Sequence, residues 1–409
     1  MTMQKVAIIG VGHTKFGRLP EKGLMDLLCE ASLKGIEDSN TNQKEFDSVY
    51  VGAMSPEIFN HLSGVASTLV DRISLIPAAA ADIKNGPASG GSAIKTGFQE
   101  IASGMSDLVL VVGGEKMTHI TTPGYVTSNV ATLTHPEAER RHGVSLPSFA
   151  GLLTRAYLEK FDAKLEWISE IAIKNHNNGA LNPYAHFQRT IKGFMKSAIE
   201  KGRGSWDSVH DFLKDDKTNP IIADPLRLFH ICPISDGAAA LVLCNAERAK
   251  EFCDTPILIS GIGQATDTHI VLEREEFTTL KALRICSDQA YRMAKKTPKD
   301  MDVAELHDAF EILEAVQSED IGFFKKGEGA KAAHDGLTKL GGEIPINPSG
   351  GLKARGHPLG ATGVAQVVEL VWQLRGEAGK RQVSGAETGI TCNFGGFGNN
   401  IISILVERM

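Results

Sequence analysis

The chain has 409 residues, 42% hydrophobic and 22% charged, the balance of a soluble globular protein with room for two domains or one duplicated core. A net charge of -6 speaks against a nucleic-acid-binding surface, and no apolar run is long enough to cross a bilayer. Six cysteines (Cys29, Cys232, Cys244, Cys253, Cys286 and Cys392) without CxxC pairing fit a reducing compartment and argue against a zinc site; no metal is expected.

Residues 6–11 read as a short apolar strand rather than a secretory leader, so the cytoplasm is the expected location. Apolar spacing predicts a helix over 24–39, a buried strand over 47–52 and a helix over 62–75. A strand is expected over 83–91, running into a glycine turn, then a helix over 92–103 and a strongly apolar strand over 107–113. This alternation points to a layered α/β fold. Residues 118–225 differ: they are polar, rich in His, Asn, Lys and Arg, and hold one or two helices, at 148–161 and 167–177. An insertion of that size serves as a lid, a binding loop or an oligomer contact, or is a solvated decoration; its basic residues would suit a phosphate-bearing ligand. Residues 232–244 are a turn leading into a buried strand.

A second half follows, with a strand at 257–262, a helix at 279–295, a strand at 301–306, a helix at 364–374 capped by Gly376, and a last strand at 400–406. A shift of roughly 255 residues lays Asp47 on Asp302 and Val51 on Leu306, and the turn at Ser89 with its helix resembles the turn at Ala361 with its helix. Two similar halves packed around one site are expected, residues 1–250 with the insertion and residues 251–409.

Three places in the second half carry reactive groups: His307 and Asp308 where a strand ends, His357 in the glycine loop 356–363, and Cys392 in what reads as a glycine-rich turn before the last strand. Alone, each has a plain structural role, a strand cap, a loop histidine or a small buried hydrophobe. Together they suit proton transfer beside a thioester enolate or an attacking thiol, since a neighbouring imidazolium or helix N-terminus lowers a thiol pKa.

The segments Gly356-His357-Pro358-Leu359-Gly360-Ala361-Thr362-Gly363, His307-Asp308-Ala309-Phe310 and Cys392-Asn393-Phe394-Gly395-Gly396-Phe397-Gly398 resemble thiolase superfamily motifs. The second is similar to the form in sterol-carrier-protein-X-type and archaeal thiolases, as are residues 174–187 and 235–240. The resemblance spans essentially the whole chain. It implies a five-layer αβαβα fold of two related halves, a covering loop over coenzyme A within 118–225, and a homodimer or larger assembly. It also implies acyl-CoA and coenzyme A as substrates with no permanently bound cofactor, and, by family habit, a small zinc-ribbon/OB-fold partner protein. In it His357 acts on the thioester oxygen and the nucleophile, His307 supports an oxyanion site and Cys392 is an acid/base, with Ser89, Asn393 and Gly395 as candidate substrate contacts.

One departure matters. Thiolases place a nucleophilic cysteine in the first half, and here Pro87 of Asn85-Gly86-Pro87-Ala88-Ser89 stands in its place. Proline removes both the thiol and a backbone N–H that would bind an oxyanion, a loss of about 3 kcal/mol for one such donor. Ser89 or Cys392 as substitute acyl carrier are two routes. The favoured third is direct attack of coenzyme A on a β-ketoacyl-CoA, both held in one pocket. A retro-aldolase on a β-hydroxyacyl-CoA and a non-catalytic subunit of a complex are the alternatives.

Overall fold

The computed structural model describes residues 3–119 and 123–409. The first half opens with β1 (Val6–His13), α1 (Leu24–Asp38), β2 (Ser48–Gly52), α2 (Pro56–Phe59), α3 (Val65–Arg72), β3 (Ala79–Ile83), α4 (Ser89–Ser103) and β4 (Leu108–Glu115). The insertion contributes α5 (Pro123–Val130), α6 (Leu146–Phe161), α7 (Leu165–Gly179), α8 (Ile191–Glu200), α9 (Val209–Lys214) and the two short strands β5 (Ile221–Ala223) and β6 (Leu226–Arg227). Next come β7 (Gly237–Asn245), β8 (Ile257–Thr266), α10 (Lys281–Ala294), β9 (Val303–Glu305) and α11 (Glu311–Asp320). The chain ends with α12 (Gly329–His334), α13 (Gly351–Ala354), α14 (Thr362–Arg375), β10 (Thr388–Gly395) and β11 (Asn400–Arg408).

Nine strands form one sheet in the order β3-β2-β4-β7-β1-β8-β11-β10-β9. Read outward from the β1–β8 junction, the two sides repeat each other. β1, β7, β4 and β2 match β8, β11, β10 and β9, with the outer pair parallel on both sides. Where β3 flanks β2, Ile346 makes a single parallel bridge to Ala304 of β9. The same carboxylate device closes each half: Asp47 accepts from the N–H groups of Asp107 and Leu108, and Asp302 from those of Glu387 and Thr388. These pairs place Asp47 on Asp302, as the sequence shift expects.

Alternation along the strands decides the layers. In β1, Ala7 and Ile9 face a core shared with α1 and α3, while Val6 and Ile8 face the opposite core with α4 and α14. In β11, Ile402 and Ile404 face that same central core, while Ile401 and Leu405 face a third core with α10, α11, α6 and α7. Helices therefore lie outside, between and outside the two half-sheets, which is the five-layer αβαβα arrangement. No helix among the described residues is long and apolar enough to cross a membrane.

Three expectations need correction. The strand placed at 83–91 ends where it was expected to begin: β3 is Ala79–Ile83, a run with three alanines, a weak strand former, and its pairing with β2 decides it. The insertion holds five helices among its described residues rather than one or two. Cys392 is not in a turn but inside β10, in register with Ser403 of β11, because the hairpin reverses only after Gly395.

Candidate active site

The loop before α14 is built for close approach. Gly356 has φ +111°, and a Cβ there would lie 2.8 Å from the Ser235 hydroxyl. A Cβ on Gly360 would lie 2.5 Å from the carbonyl oxygens of both Gly52 and Gly114. Glu115, at the end of β4, accepts from the N–H groups of Met54, Ser55 and Gly360 at 2.8, 3.2 and 3.0 Å, fastening this loop to the first half. His357 is thus fixed in place before its side chain is considered.

Its protonation pattern follows from one hydroxyl. Thr362 donates its single hydroxyl hydrogen to the Pro358 carbonyl at 3.0 Å, so at 2.6 Å His357 Nδ1–H donates to Thr362 Oγ1. Nε2 of His357 keeps its lone pair. His307 is set the other way. Gln317 clamps its backbone, accepting its N–H and donating to its carbonyl, both at 2.9 Å. The ring stacks on Phe394 at 5.0 Å, and the Phe394 N–H donates to Nδ1 at 3.4 Å. Nδ1 is therefore the acceptor, and Nε2 of His307 carries the hydrogen. The two rings meet edge to face with centroids 5.0 Å apart. Burial, helped by the Arg355 charge, pushes His357 down to about 3. Burial, then His357 and Arg355, pushes His307 well below the usual histidine range. Both are neutral at physiological pH, one offering a lone pair and the other a hydrogen.

Both line a cavity of about 150 Å³ that also touches Pro87, Cys232, Phe310 and Phe397. α5 of the insertion supplies Val126 and Val130, and the wall is overwhelmingly apolar. Water is poorly accommodated there, which strengthens any charge stabilisation by the imidazoles. Pro87 sits in a turn closed by Ala88 N–H to Asn85 O and Ser89 N–H to Gly86 O.

The other sequence-predicted residues lie elsewhere. The buried Ser89 hydroxyl donates to Gly86 O at 2.6 Å and accepts from Asn85 N–H at 2.9 Å, so it starts α4 and does not line the cavity. Asn393 joins the halves: Oδ1 accepts from Gly91 N–H at 3.2 Å and Nδ2 donates to Pro87 O at 3.3 Å. Gly395 is packed against Asn85, and its neighbour Gly396 reaches the cavity instead. Cys392 is fully buried in the core of the second half with Ile390, Phe394 and Cys286, off the cavity wall. Burial, with the Cys286 thiol nearby, pushes its thiol well above the usual range.

Two features went unforeseen. Cys232 lines the cavity; it precedes a proline and follows no spacing rule, so nothing in the sequence singles it out. Behind the cavity, Asp308, Glu311 and Glu314 bring carboxylate oxygens within 4.8 Å of one another. The Asn175 amide donates to all three, and Lys174 lies 2.8 Å from Glu314. Asp308 also accepts from the N–H groups of Leu352 and Lys353 at the start of α13, so the cluster is tied into the protein by its own donors.

The sequence matches the family described as thiolase, N-terminal domain, over residues 6–247, and thiolase C-terminal domain-like over residues 263–408. The chain belongs to the thiolase family. It is 42% identical to acetyl-CoA acetyltransferase of Methanothermobacter thermautotrophicus, over 99% of this thiolase and 100% of that protein. Human sterol carrier protein 2 is 30% identical, over 98% of this chain and 72% of its own length. The solved Ltp2-ChsH2(DUF35) aldolase superposes with a TM-score of 0.80 at 22% identity, covering 100% of this chain and 98% of that one, a likeness of fold. By family this thiolase is an enzyme of the acyltransferase class.

Proposed function

We propose that this thiolase cleaves, or in reverse forms, a β-ketoacyl-CoA by direct attack of coenzyme A, with acyl-CoA and coenzyme A as substrates and no permanently bound cofactor. The observation that carries this is the opposite tautomers of His307 and His357 on a cavity whose wall has Pro87 where the acyl carrier would stand. His357 Nε2 takes the proton of the coenzyme A thiol, and the thiolate attacks the ketone carbon. His307 Nε2–H holds the resulting oxyanion. Collapse breaks the Cα–Cβ bond, giving a new acyl-CoA and the enolate of the second thioester. Holding both reactants in one pocket supplies the advantage that covalent capture otherwise gives.

Turnover of acetoacetyl-CoA with coenzyme A, followed by intact-protein mass spectrometry, tests this. The expected result is cleavage into two acetyl-CoA molecules with no protein adduct; a stable acyl adduct on Ser89 or Cys392 would rule out direct attack. A retro-aldolase on a β-hydroxyacyl-CoA uses the same lone pair on a hydroxyl and the same enolate, and preference for that substrate would select it. No turnover of either substrate, with or without a partner, would favour a non-catalytic subunit. A homodimer or larger assembly in the cytoplasm, with a small zinc-ribbon/OB-fold partner, belongs to the same proposal, on the precedent of the Ltp2-ChsH2(DUF35) pairing. Size-exclusion chromatography of the co-expressed proteins checks it.

A further inference from the structure

Direct attack accounts for the thiol proton and the oxyanion but does not say which cavity group delivers a proton to the carbon of the departing enolate. The proton that His357 Nε2 takes from coenzyme A reaches that carbon either directly or through a second acid, and the hydrogen on His307 Nε2 faces the oxygen. Among the described residues that line the cavity, Cys232 carries the one thiol. Its backbone is fixed from both sides. Cys232 N–H donates to Ala309 O at 3.0 Å, and Ile231 bridges Phe310, so the thiol is held against the segment that carries His307. On the other side the Lys353 ammonium donates to Ile231 O at 2.5 Å. The two imidazoles that share the cavity are 2% and 5% exposed, and neither Nε2 has a hydrogen-bond partner among the described residues. Cys392, the thiol that the motif pattern favours, is turned into the core beside Cys286.

We propose that Cys232 is the catalytic acid that protonates the α-carbon of the departing enolate, an assignment that rests on the acyl-transfer reading above. In the step, the Sγ–H bond breaks and a C–H bond forms with the enolate's carbon–carbon π electrons. Acetyl-CoA is released and a thiolate remains. The His357 imidazolium then returns its proton to Sγ, so the net transfer is from the coenzyme A thiol to the α-carbon. In reverse, the thiolate removes an α-proton from acetyl-CoA. Burial pushes the Cys232 thiol up to about 12 against the opposing charge of Lys353, so it carries its proton at physiological pH, as an acid must.

The test uses the full chain with acetoacetyl-CoA and coenzyme A as probes, comparing wild type with Cys232→Ala, Cys232→Ser and Cys392→Ala. Both changes at Cys232 should lower kcat by about 100-fold or more while KM stays within about threefold. They should also abolish exchange of the α-hydrogens of acetyl-CoA with deuterated water, which a purely structural role would leave in proportion to folded protein. Coenzyme A binding, read by calorimetry, should persist. Cys232→Ser, nearly isosteric, decides the question if the alanine variant does not fold. Wild-type kcat and exchange in Cys232→Ala, or a loss confined to Cys392→Ala, overturns the assignment while acyl transfer stands. A wild-type chain that turns over no acetoacetyl-CoA overturns acyl transfer and this assignment together.

Discussion

The two site histidines differ in what touches Nδ1, a hydroxyl that must accept in one and a backbone N–H that must donate in the other. Replacing His357 by Gln should therefore lower kcat for β-ketoacyl-CoA cleavage by roughly 10²- to 10⁴-fold with a smaller change in KM. Thr362→Val keeps the imidazole but removes the oxygen that fixes its tautomer. A milder loss of about tenfold in kcat is expected, the size of one hydrogen bond to a reacting group. Equal steady-state kinetics for Thr362→Val and wild type would show that the tautomer is set by something else. Both histidines were legible in the sequence because each follows a signal of irregular backbone, a strand end or a proline-bearing glycine loop. The cysteines were not. The glycines after Cys392 suggested a turn three residues too early, since Gly395 still pairs with Asn400 in the hairpin. Cys232 reaches the cavity by bridging to a segment more than seventy residues away in the chain, and spacing carries no trace of that.

At the scale of elements, the site depends on two helix starts that meet, α4 and α14. A Cβ on Gly91 would lie 2.8 Å from Asn393 Oδ1, and one on Gly363 only 2.3 Å from it and 2.5 Å from Gly91 N. The latter contact is with backbone, which cannot rotate away. Gly363→Ala should destabilise the protein by more than about 3 kcal/mol, seen as a large drop in the urea midpoint or as insoluble expression. Asn393→Ala leaves two buried backbone groups without partners and should cost about 1–3 kcal/mol. An unchanged midpoint in both would mean the seam is looser than its distances. The turns at Ser89 and Ala361 were matched from their glycines. Of the insertion's helices, α6 and α7 were legible from their spacing, and the others were obscured by its polarity. α8 and α9 bury their apolar faces in a small core of their own, with Met195, Phe212 and Leu213; α8 carries helical spacing at Ile191, Phe194, Met195 and Ala198 that a reading for polarity passed over, whereas six-residue α9 is too short to show a period.

For the whole molecule, burial sets an opposition between two kinds of titrating group. His13, His176, His230 and His357 are all pushed down to about 3, chiefly by burial. A histidine of this kind leaves stability intact above its unfolded value near 6.5 and erodes it as pH falls toward the folded value. Glu115, Glu305 and Asp308 are raised to about 7, again chiefly by burial. Their contribution is full below the unfolded values near 4 and is lost as pH rises to about 7. Between about pH 4.5 and 6.5 the two trends oppose each other at about 1.4 kcal/mol per pH unit for each group. Below that window the histidine loss continues and is joined by that of carboxylates such as Asp236, which, against its burial, Lys116 and Thr118 hold below the usual range. The melting temperature should vary little from pH 5 to 7 and fall steeply below about pH 4.5. A steady decline beginning at pH 6.5 would mean that the buried carboxyls do not hold their protons. The repeat in this architecture was faintly legible, because an aspartate that closes a parallel strand pair recurs with its strand.

The β1–β8 junction joins the half-sheets through only three paired positions, Val6 to Ile8 against Ile257 to Ile259, whereas α14 packs on strands and a helix of the first half. The half-buried peptide around Asp254 is tied to the end of α14, where Arg375 donates to Thr255 O at 3.1 Å and to Cys253 Sγ at 3.3 Å; beyond that it keeps the two pieces at high local concentration. A break there would leave fragments able to find each other and recombine without a covalent tether, since the surface that each presents to the other is the interior of the enzyme.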